Sequence, residues 1–176
     1  VKFNMMMRDR ARNLILPGLF DVAQSYEDYV FQHELWELKD LIELDLSANQ
    51  LTRLPKELGK LRSLEKLELQ SNQFTEIPKE LEQLSALRTL YLTDNKLNGI
   101  SIELSSFPAL EQLGLGRSRL TAIPPSVMNL KKLEYLNLSD NQITALPKEL
   151  GELKELKRLW VSSNRLTALP KELGRL

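Results

Sequence analysis

Six leucines, at positions 41, 64, 87, 110, 133 and 156, stand 23 residues apart without one insertion or deletion between them. No other feature restricts the fold as tightly, because a fixed period of this length means that one small unit is copied along an axis. From each leucine the same frame follows: Leu-x-x-Leu-x-Leu-x-x-Asn-x-Leu-x-x-Leu-Pro-x-x-Leu-x-x-Leu. The first copy reads Leu41, Leu44, Leu46, Asn49, Leu51, Leu54, Pro55, Leu58 and Leu61. The fifth reads Leu133, Leu136, Leu138, Asn141, Ile143, Leu146, Pro147, Leu150 and Leu153. A unit this short cannot bury its own apolar face, so the copies must stack and share one core.

The frame has a local meaning at each step. In Leu-x-Leu the alternation of a strand points the leucines inward and the intervening residues outward. Strands are expected to start near residues 43, 66, 89, 112, 135 and 158, stacked in parallel about 4.8 Å apart. Asn49, Asn72, Asn95, Asn141 and Asn164 fall where the chain leaves each strand. A carboxamide buried there must find partners, and the backbones of neighbouring turns supply them as a ladder. The Leu-Pro step fixes an extended bend. After it, the Lys-Glu-Leu-Gly segments 56–59, 148–151 and 171–174 suit a short helical turn, with glycine as its C-terminal stop. Two copies depart from the frame. Ser101 replaces the proline of the third, after Gly99 and Ile100, and Ser118 replaces the asparagine of the fourth, where Gly114 and Gly116 flank Leu115. A local bend or widening is expected near residues 98–118.

The fold class expected is α/β: a solenoid with a parallel concave β-sheet, short helical turns on the convex side and an N-terminal helical cap. Residues 1–40 form that cap with a degenerate half-repeat, and residues 41–176 form the six repeats. Phe31, Leu35 and Leu38 take the places of Leu54, Leu58 and Leu61, and Trp36 stands where Gly59 would be. Further upstream the frame is lost, since Gly18, Asp21 and Ala23 fall where strand leucines belong. Residues 21–32 read as helix from the four-residue spacing of Val22, Tyr26 and Val30. Such a cap covers the core leucines and strand edge that a first repeat leaves open. The sixth repeat runs to Leu176 with no similar device, so fraying or self-association through that end is expected.

Composition sets the function classes aside. The chain has 176 residues, 42% apolar and 27% charged, with a formal net charge of zero. That balance fits a folded domain and opposes a strongly basic nucleic-acid binder. No apolar run reaches the roughly 18 residues that span a bilayer, so no membrane partner is expected. Cysteine is absent, which removes disulfides and thiolate chemistry. Residues 1–17 carry a local excess of positive charge but lack the long central apolar region of a secretory signal. Cytoplasmic residence is favoured, and a secreted bacterial effector stays open. His33, the one histidine, falls at the solvent-facing place of Lys56. No Gly-rich phosphate loop or metal-ligand spacing appears, so neither catalysis, cofactor nor metal is expected of this chain.

With these residues in view, a resemblance can be stated. Copies such as Leu46-Ser-Ala-Asn49-Gln-Leu-Thr-Arg-Leu-Pro-Lys-Glu-Leu-Gly59 resemble the 23-residue repeats of the Ras-group leucine-rich-repeat proteins. They are equally similar to repeats of bacterial leucine-rich-repeat proteins, leptospiral ones included. The resemblance covers residues 31–176 and implies a curved solenoid that holds a protein or peptide on its concave sheet face, as scaffold or effector. The alternative is a substrate-targeting domain of a larger enzyme, a kinase or ubiquitin ligase.

Outward strand positions carry no core duty, so their identity reports on binding. One outward row reads Asp45, Glu68, Tyr91, Gly114, Asn137 and Trp160, and the row beside it Glu43, Lys66, Thr89, Gln112, Tyr135 and Arg158. The face is acidic over its first two repeats and aromatic, with arginine, toward its last three. Tyr91, Tyr135, Arg158 and Trp160 are the leading candidates, because exposed aromatics and arginine dominate protein interfaces. Tyr135 and Trp160 sit on adjacent strands at diagonal positions where their rings can touch. Gly114 and Gly116 should leave a shallow floor of bare backbone between Tyr91 and Asn137. Asp94, Arg117 and Asp140 make an alternating charge row, read first as weak surface pairs and kept as part of the binding face. The carboxylates of Glu43, Asp45 and Glu68 suit a basic peptide better than calcium, which needs six to eight oxygens in a fitted loop.

Overall fold

The structure is a computed structural model that describes residues 13–15, 35–97 and 104–176. Its strands are β1 (Asn13–Ile15), β2 (Glu43–Asp45), β3 (Lys66–Glu68), β4 (Thr89–Tyr91), β5 (Gln112–Gly114), β6 (Tyr135–Asn137) and β7 (Arg158–Trp160). They form one parallel sheet in chain order. From β2 onward each residue pairs with its counterpart 23 positions away, as Lys66 does with Thr89 and Thr89 with Gln112. The six strand starts read from the period are those observed. The leucines of the first five Leu-x-Leu steps are buried, and the row Leu44, Leu67, Leu90, Leu113 and Leu136 runs unbroken through the core; Leu159 and Val161 of the sixth are partly buried.

β1 was not foreseen. Asn13 pairs with Glu43, so 30 residues separate the first two strands where 23 separate the others. The strand therefore lies seven residues upstream of the place the period assigned to it. A search held to one spacing cannot find it. The helix expected over residues 21–32, like Phe31 and His33, lies outside the described residues. What is described at this end is a three-residue 3₁₀ turn, Leu35–Glu37, that buries Leu35 and Trp36 against the first repeat.

On the side away from the sheet the helical turns are 3₁₀, and the leucine spacing explains why. Leu58, Leu61 and Leu64 recur every three residues, and a helix with three residues per turn points all three into the core. Their amides form the matching chain: Leu58 donates to Pro55 O, Leu61 to Leu58 O and Leu64 to Leu61 O, at 3.0–3.1 Å. Pro55, Pro78, Pro147 and Pro170 precede these turns in extended conformation, as expected of Leu-Pro. Glycine is not the stop. Gly59 and Gly151 lie inside the turns Lys56–Lys60 and Lys148–Glu152, which end at Leu61 and Leu153. Their value is closeness: a Cβ on Gly59 would press on the Gln83 side chain, and one on Gly151 would enter the Glu172 backbone.

The asparagine ladder is present. Asn72 accepts from Leu51 N–H at 2.9 Å and donates to Leu46 O and Leu69 O, so one carboxamide ties two repeats together. Asn95, Asn141 and Asn164 repeat the arrangement. Ser118 is too short to reach the preceding repeat, and its hydroxyl donates to Gly116 O instead. The consequence is local. Arg119 takes a left-handed φ of 59°, which its counterparts in other repeats do not. The sheet does not widen there, for Leu92 N–H donates to Gly114 O at 2.8 Å and Asp94 N–H to Gly116 O at 2.9 Å. Of the expected bend, residues 98–103 lie outside the described residues.

Candidate functional site

The residues that follow each strand turn the chain through the left-handed region. Ala48, Ser71, Asp94, Arg117, Asp140 and Ser163 all have φ between 50° and 60°, so this row leaves the sheet plane and stands along the rim of the face. Within it Arg117 Nε lies 3.7 Å from Asp140 Oδ2, while Asp94 Oδ2 accepts from the Ser71 hydroxyl at 3.2 Å. The alternating row thus makes one ion pair, not a continuous ladder. Among the described residues no cation comes within pairing distance of Asp94.

The acidic end of the face is largely engaged with itself. Lys66 Nζ lies 2.7 Å from Glu68 Oε1, and Gln70 Nε2 donates to Glu68 Oε2 at 2.6 Å. Burial disfavours the charged form of Glu68, yet these hydrogen bonds and the attraction of Lys66 outweigh it and hold its pKa below the ordinary value. The hydrogen bond to Glu68 in turn raises that of Lys66. Asp45 accepts from Ser47 N–H at 2.8 Å.

The aromatic side chains meet. Tyr135 and Trp160 have ring centroids 5.9 Å apart at 60°, as their diagonal placement suggested. Tyr91 and Tyr135 also touch, edge to face at 6.5 Å, although a whole strand lies between β4 and β6. Gly114 on β5 makes that contact. The space a Cβ would take at Gly114 is filled by Cδ1 of Tyr91, whose ring lies across the glycine while its hydroxyl donates to Gln112 Oε1. The expected floor of bare backbone is therefore absent: Gly114 and Gly116 are buried, the second beneath Asn137 and Ser139. Burial, with Tyr135 nearby, raises the Tyr91 pKa. Trp160, by contrast, is 53% exposed, and Arg158 beside it is exposed as well.

The rings border an open cleft of about 370 Å³. Tyr91, Tyr135 and Gly114 form one side, Asp94 and Arg117 the rim, and Gln70, Ser71, Thr93 and Asn137 complete it. Sequence reasoning did not single out these last four. Their outward positions were readable, but only the tilt of Tyr91 over Gly114 shows that they share one cavity. A larger opening of about 600 Å³ lies beside the 3₁₀ turns between Glu37 and Arg62, away from the aromatic line, with the Glu37–Lys60 ion pair on its border. Of the seven candidates, Tyr91, Asp94, Arg117 and Tyr135 line the sheet-face cleft, and Trp160 continues the aromatic line from Tyr135. Asp140 joins through Arg117, and Arg158 stands on β7 beside Trp160. Among the described residues no group of three His, Cys, Asp or Glu side chains is placed to hold a metal ion.

A leucine-rich-repeat family model matches residues 30–74, 62–120 and 108–166. The chain belongs to the leucine-rich-repeat family. Its relatives of known structure include a leucine-rich-repeat protein of Leptospira interrogans, 40% identical over 81% of this chain with a TM-score of 0.75. The ectodomain of the plant membrane receptor kinase GASSHO1/SCHENGEN3 from Arabidopsis thaliana, in complex with Casparian strip integrity factor 2, is 37% identical over 81% of the chain with a TM-score of 0.68. An internalin of Listeria monocytogenes shares the fold, at 24% identity over 90% of the chain and a TM-score of 0.72. The chain spans 36%, 18% and 43% of the lengths of these three. A comparison with curated proteins gives no match. The bacterial relatives agree with the resemblance read from the repeats.

Proposed function

We propose that these leucine-rich repeats recognise a protein or peptide partner on the concave sheet face, through the line Tyr91–Tyr135–Trp160 and the neighbouring Arg158. The observation that carries this reading is the aromatic line itself. Three rings, each touching the next, run from β4 to β7, and the last is half exposed on a face whose core duty is met by the opposite row. Rings held against each other lose little freedom on binding, which is why such clusters anchor interfaces. The family supports it, since leucine-rich repeats commonly serve as interaction modules, and the Arabidopsis ectodomain was solved in complex with Casparian strip integrity factor 2.

The test begins by capturing a partner with the wild-type chain and mapping the contact by cross-linking. Trp160→Ala and Tyr135→Ala should then each weaken the complex by roughly 30-fold or more, the loss of a buried anchor of about 2–4 kcal/mol. Asp45→Ala, at the acidic end, should mainly change the salt dependence. Thermal melts must accompany the binding data, because Tyr135→Ala also removes two ring contacts worth about 1 kcal/mol each. Small, equal effects in all three variants, with folding intact, would move the binding surface off this face. Sedimentation of the free protein separates a second copy of the chain from a foreign partner.

A further inference from the structure

The charges around the sheet-face cleft do not balance, and the imbalance has a definite sign. Arg117 is the cation that lines the cleft among the described residues, and Asp140 already holds it at 3.7 Å; Lys66, whose charge reaches Tyr91, is held by Glu68 at 2.7 Å. Asp94 is the carboxylate left over. It is exposed on the rim, with only the Ser71 hydroxyl as a side-chain partner among the described residues. Beneath the rim, Gln70 carries a second unmet acceptor. Its Nε2 is committed to Glu68, so its amide cannot be turned over without setting two oxygens against each other. Its Oε1 is consequently the atom left buried without a donor. A buried acceptor without a donor is costly, and an N–H brought into the cleft by a ligand would relieve it. The remaining wall is aromatic, Tyr91 and Tyr135 in edge-to-face contact.

A rim carboxylate without a cation, an acceptor in need of a hydrogen and two aromatic rings specify a planar cation that carries several N–H donors, entering on the Asp94 side of the rim, away from Arg117. We propose that this cleft receives the guanidinium group of an arginine presented by the partner. Asp94 takes its charge, Gln70 Oε1 one of its N–H groups, and the tyrosine rings its flat face. An ammonium group supplies the charge but cannot lie flat against the rings while donating to both acceptors. An acidic or phosphorylated segment meets the unpaired Asp94 and is repelled. This assignment rests on the reading of the sheet face as the binding surface and names the chemistry of one contact within it.

The probes are N-acetyl-arginine methylamide and its neutral counterpart N-acetyl-citrulline methylamide, which keeps the planar shape but carries a carbonyl oxygen in place of one terminal nitrogen, and so lacks the charge and the N–H groups on that nitrogen. With isotope-labelled wild-type protein, the arginine probe should shift the amide resonances of Ser71, Thr93, Asp94 and Gly114 in a saturable manner. Its own methylene protons should move upfield under the ring current. Citrulline should bind at least ~5-fold more weakly, as should arginine to Asp94→Asn, each losing about one exposed charge pair. Equal shifts from the two probes, no shift at these residues, or arginine binding that ignores Asp94→Asn would each overturn the assignment. Panning a random peptide library on the same protein keeps that failure apart from failure of the wider reading. Peptides that bind wild type but not Trp160→Ala, with no enrichment of arginine, would overturn the arginine cleft and leave the face standing. A library in which nothing binds through the aromatic line would remove both.

Discussion

A single asparagine shows how much of this fold hangs on side chains that are neither apolar nor exposed. Asn141 Oδ1 accepts from both Ser118 N–H and Leu120 N–H, and its Nδ2 donates to Leu115 O, Leu138 O and Ser139 O. It is buried, so no water takes over when the carboxamide is removed. Asn141→Ala should cost about 3 kcal/mol in a urea titration, the penalty of several backbone groups left unsatisfied. Asn164 makes the same three donor bonds but accepts from one amide, Ile143 N–H, in a partly exposed setting, and Asn164→Ala should cost no more than about half of that. Equal costs would mean that the ladder is not what the carboxamide contributes. The second residue-scale device is the Lys66–Glu68 pair. Glu68 has a folded pKa below its ordinary 4.5, so its stabilisation is present above that value and disappears as the pH falls through the depressed one. Lys66 is raised above 10.5, so its share is present below 10.5 and is lost as the pH rises through the raised value. Both groups are partly exposed, which limits the pair to about 1 kcal/mol or less. Glu68→Gln should therefore be slightly less stable than wild type near neutrality and indistinguishable from it once the pH is below the depressed pKa of Glu68. A difference that persists in acid would point to packing of the carboxylate rather than to its charge.

At the scale of the element, the strands were readable because inward and outward residues alternate against a strict period, and any slip would bury charge. The 3₁₀ character of the turns was also written in the sequence, in leucines three apart, but the glycine at the fourth turn position carried a misleading signal. A glycine after an apolar run is a familiar helix stop. Here it is instead a place where neighbouring turns press together, and three otherwise matching sites differ in how hard. A Cβ at Gly151 meets the Glu172 backbone, one at Gly59 meets the flexible Gln83 side chain, and one at Gly174 meets nothing. Gly151→Ala should thus destabilise by about 1–3 kcal/mol, since a backbone has to move. Gly59→Ala should cost less than Gly151→Ala but not nothing, since the added methyl meets Gln83 at Cβ and Cγ, and Gly174→Ala should stabilise by about 0.5 kcal/mol by restricting the unfolded chain. Thermal melts of the three variants decide it. Glycine acting as a C-terminal stop would make all three equally harmful. β1 escaped for a different reason: its 30-residue offset breaks the one regularity from which every other strand was read.

Across the whole molecule, the period that made the fold legible also hid how the aromatic line on the sheet face is assembled. Position in the frame shows that Tyr91, Tyr135 and Trp160 point away from the core, and adjacent strands bring the last two together. The Tyr91–Tyr135 contact depends on a side chain being absent at Gly114, two strands' worth of geometry that no single repeat encodes. Stability has a molecular-scale pattern too, because each repeat is held only by its neighbours. Leu113 on β5 pairs in register with Leu90 and with Leu136 and is fully buried. Leu159 on β7 pairs with Leu136 and is only partly buried against the core. Leu113→Ala leaves a cavity between two repeats and should cost about 3–5 kcal/mol, a large share of what a domain of this size has. Leu159→Ala, whose surroundings water already reaches, should cost about 1–2 kcal/mol. Amide exchange should separate them further. The first variant should speed exchange on both sides of the defect, through β4 and β6, and the second only around β7. Equal costs, or a defect at Leu113 felt on one side alone, would mean that the repeats are not stabilised by nearest-neighbour stacking.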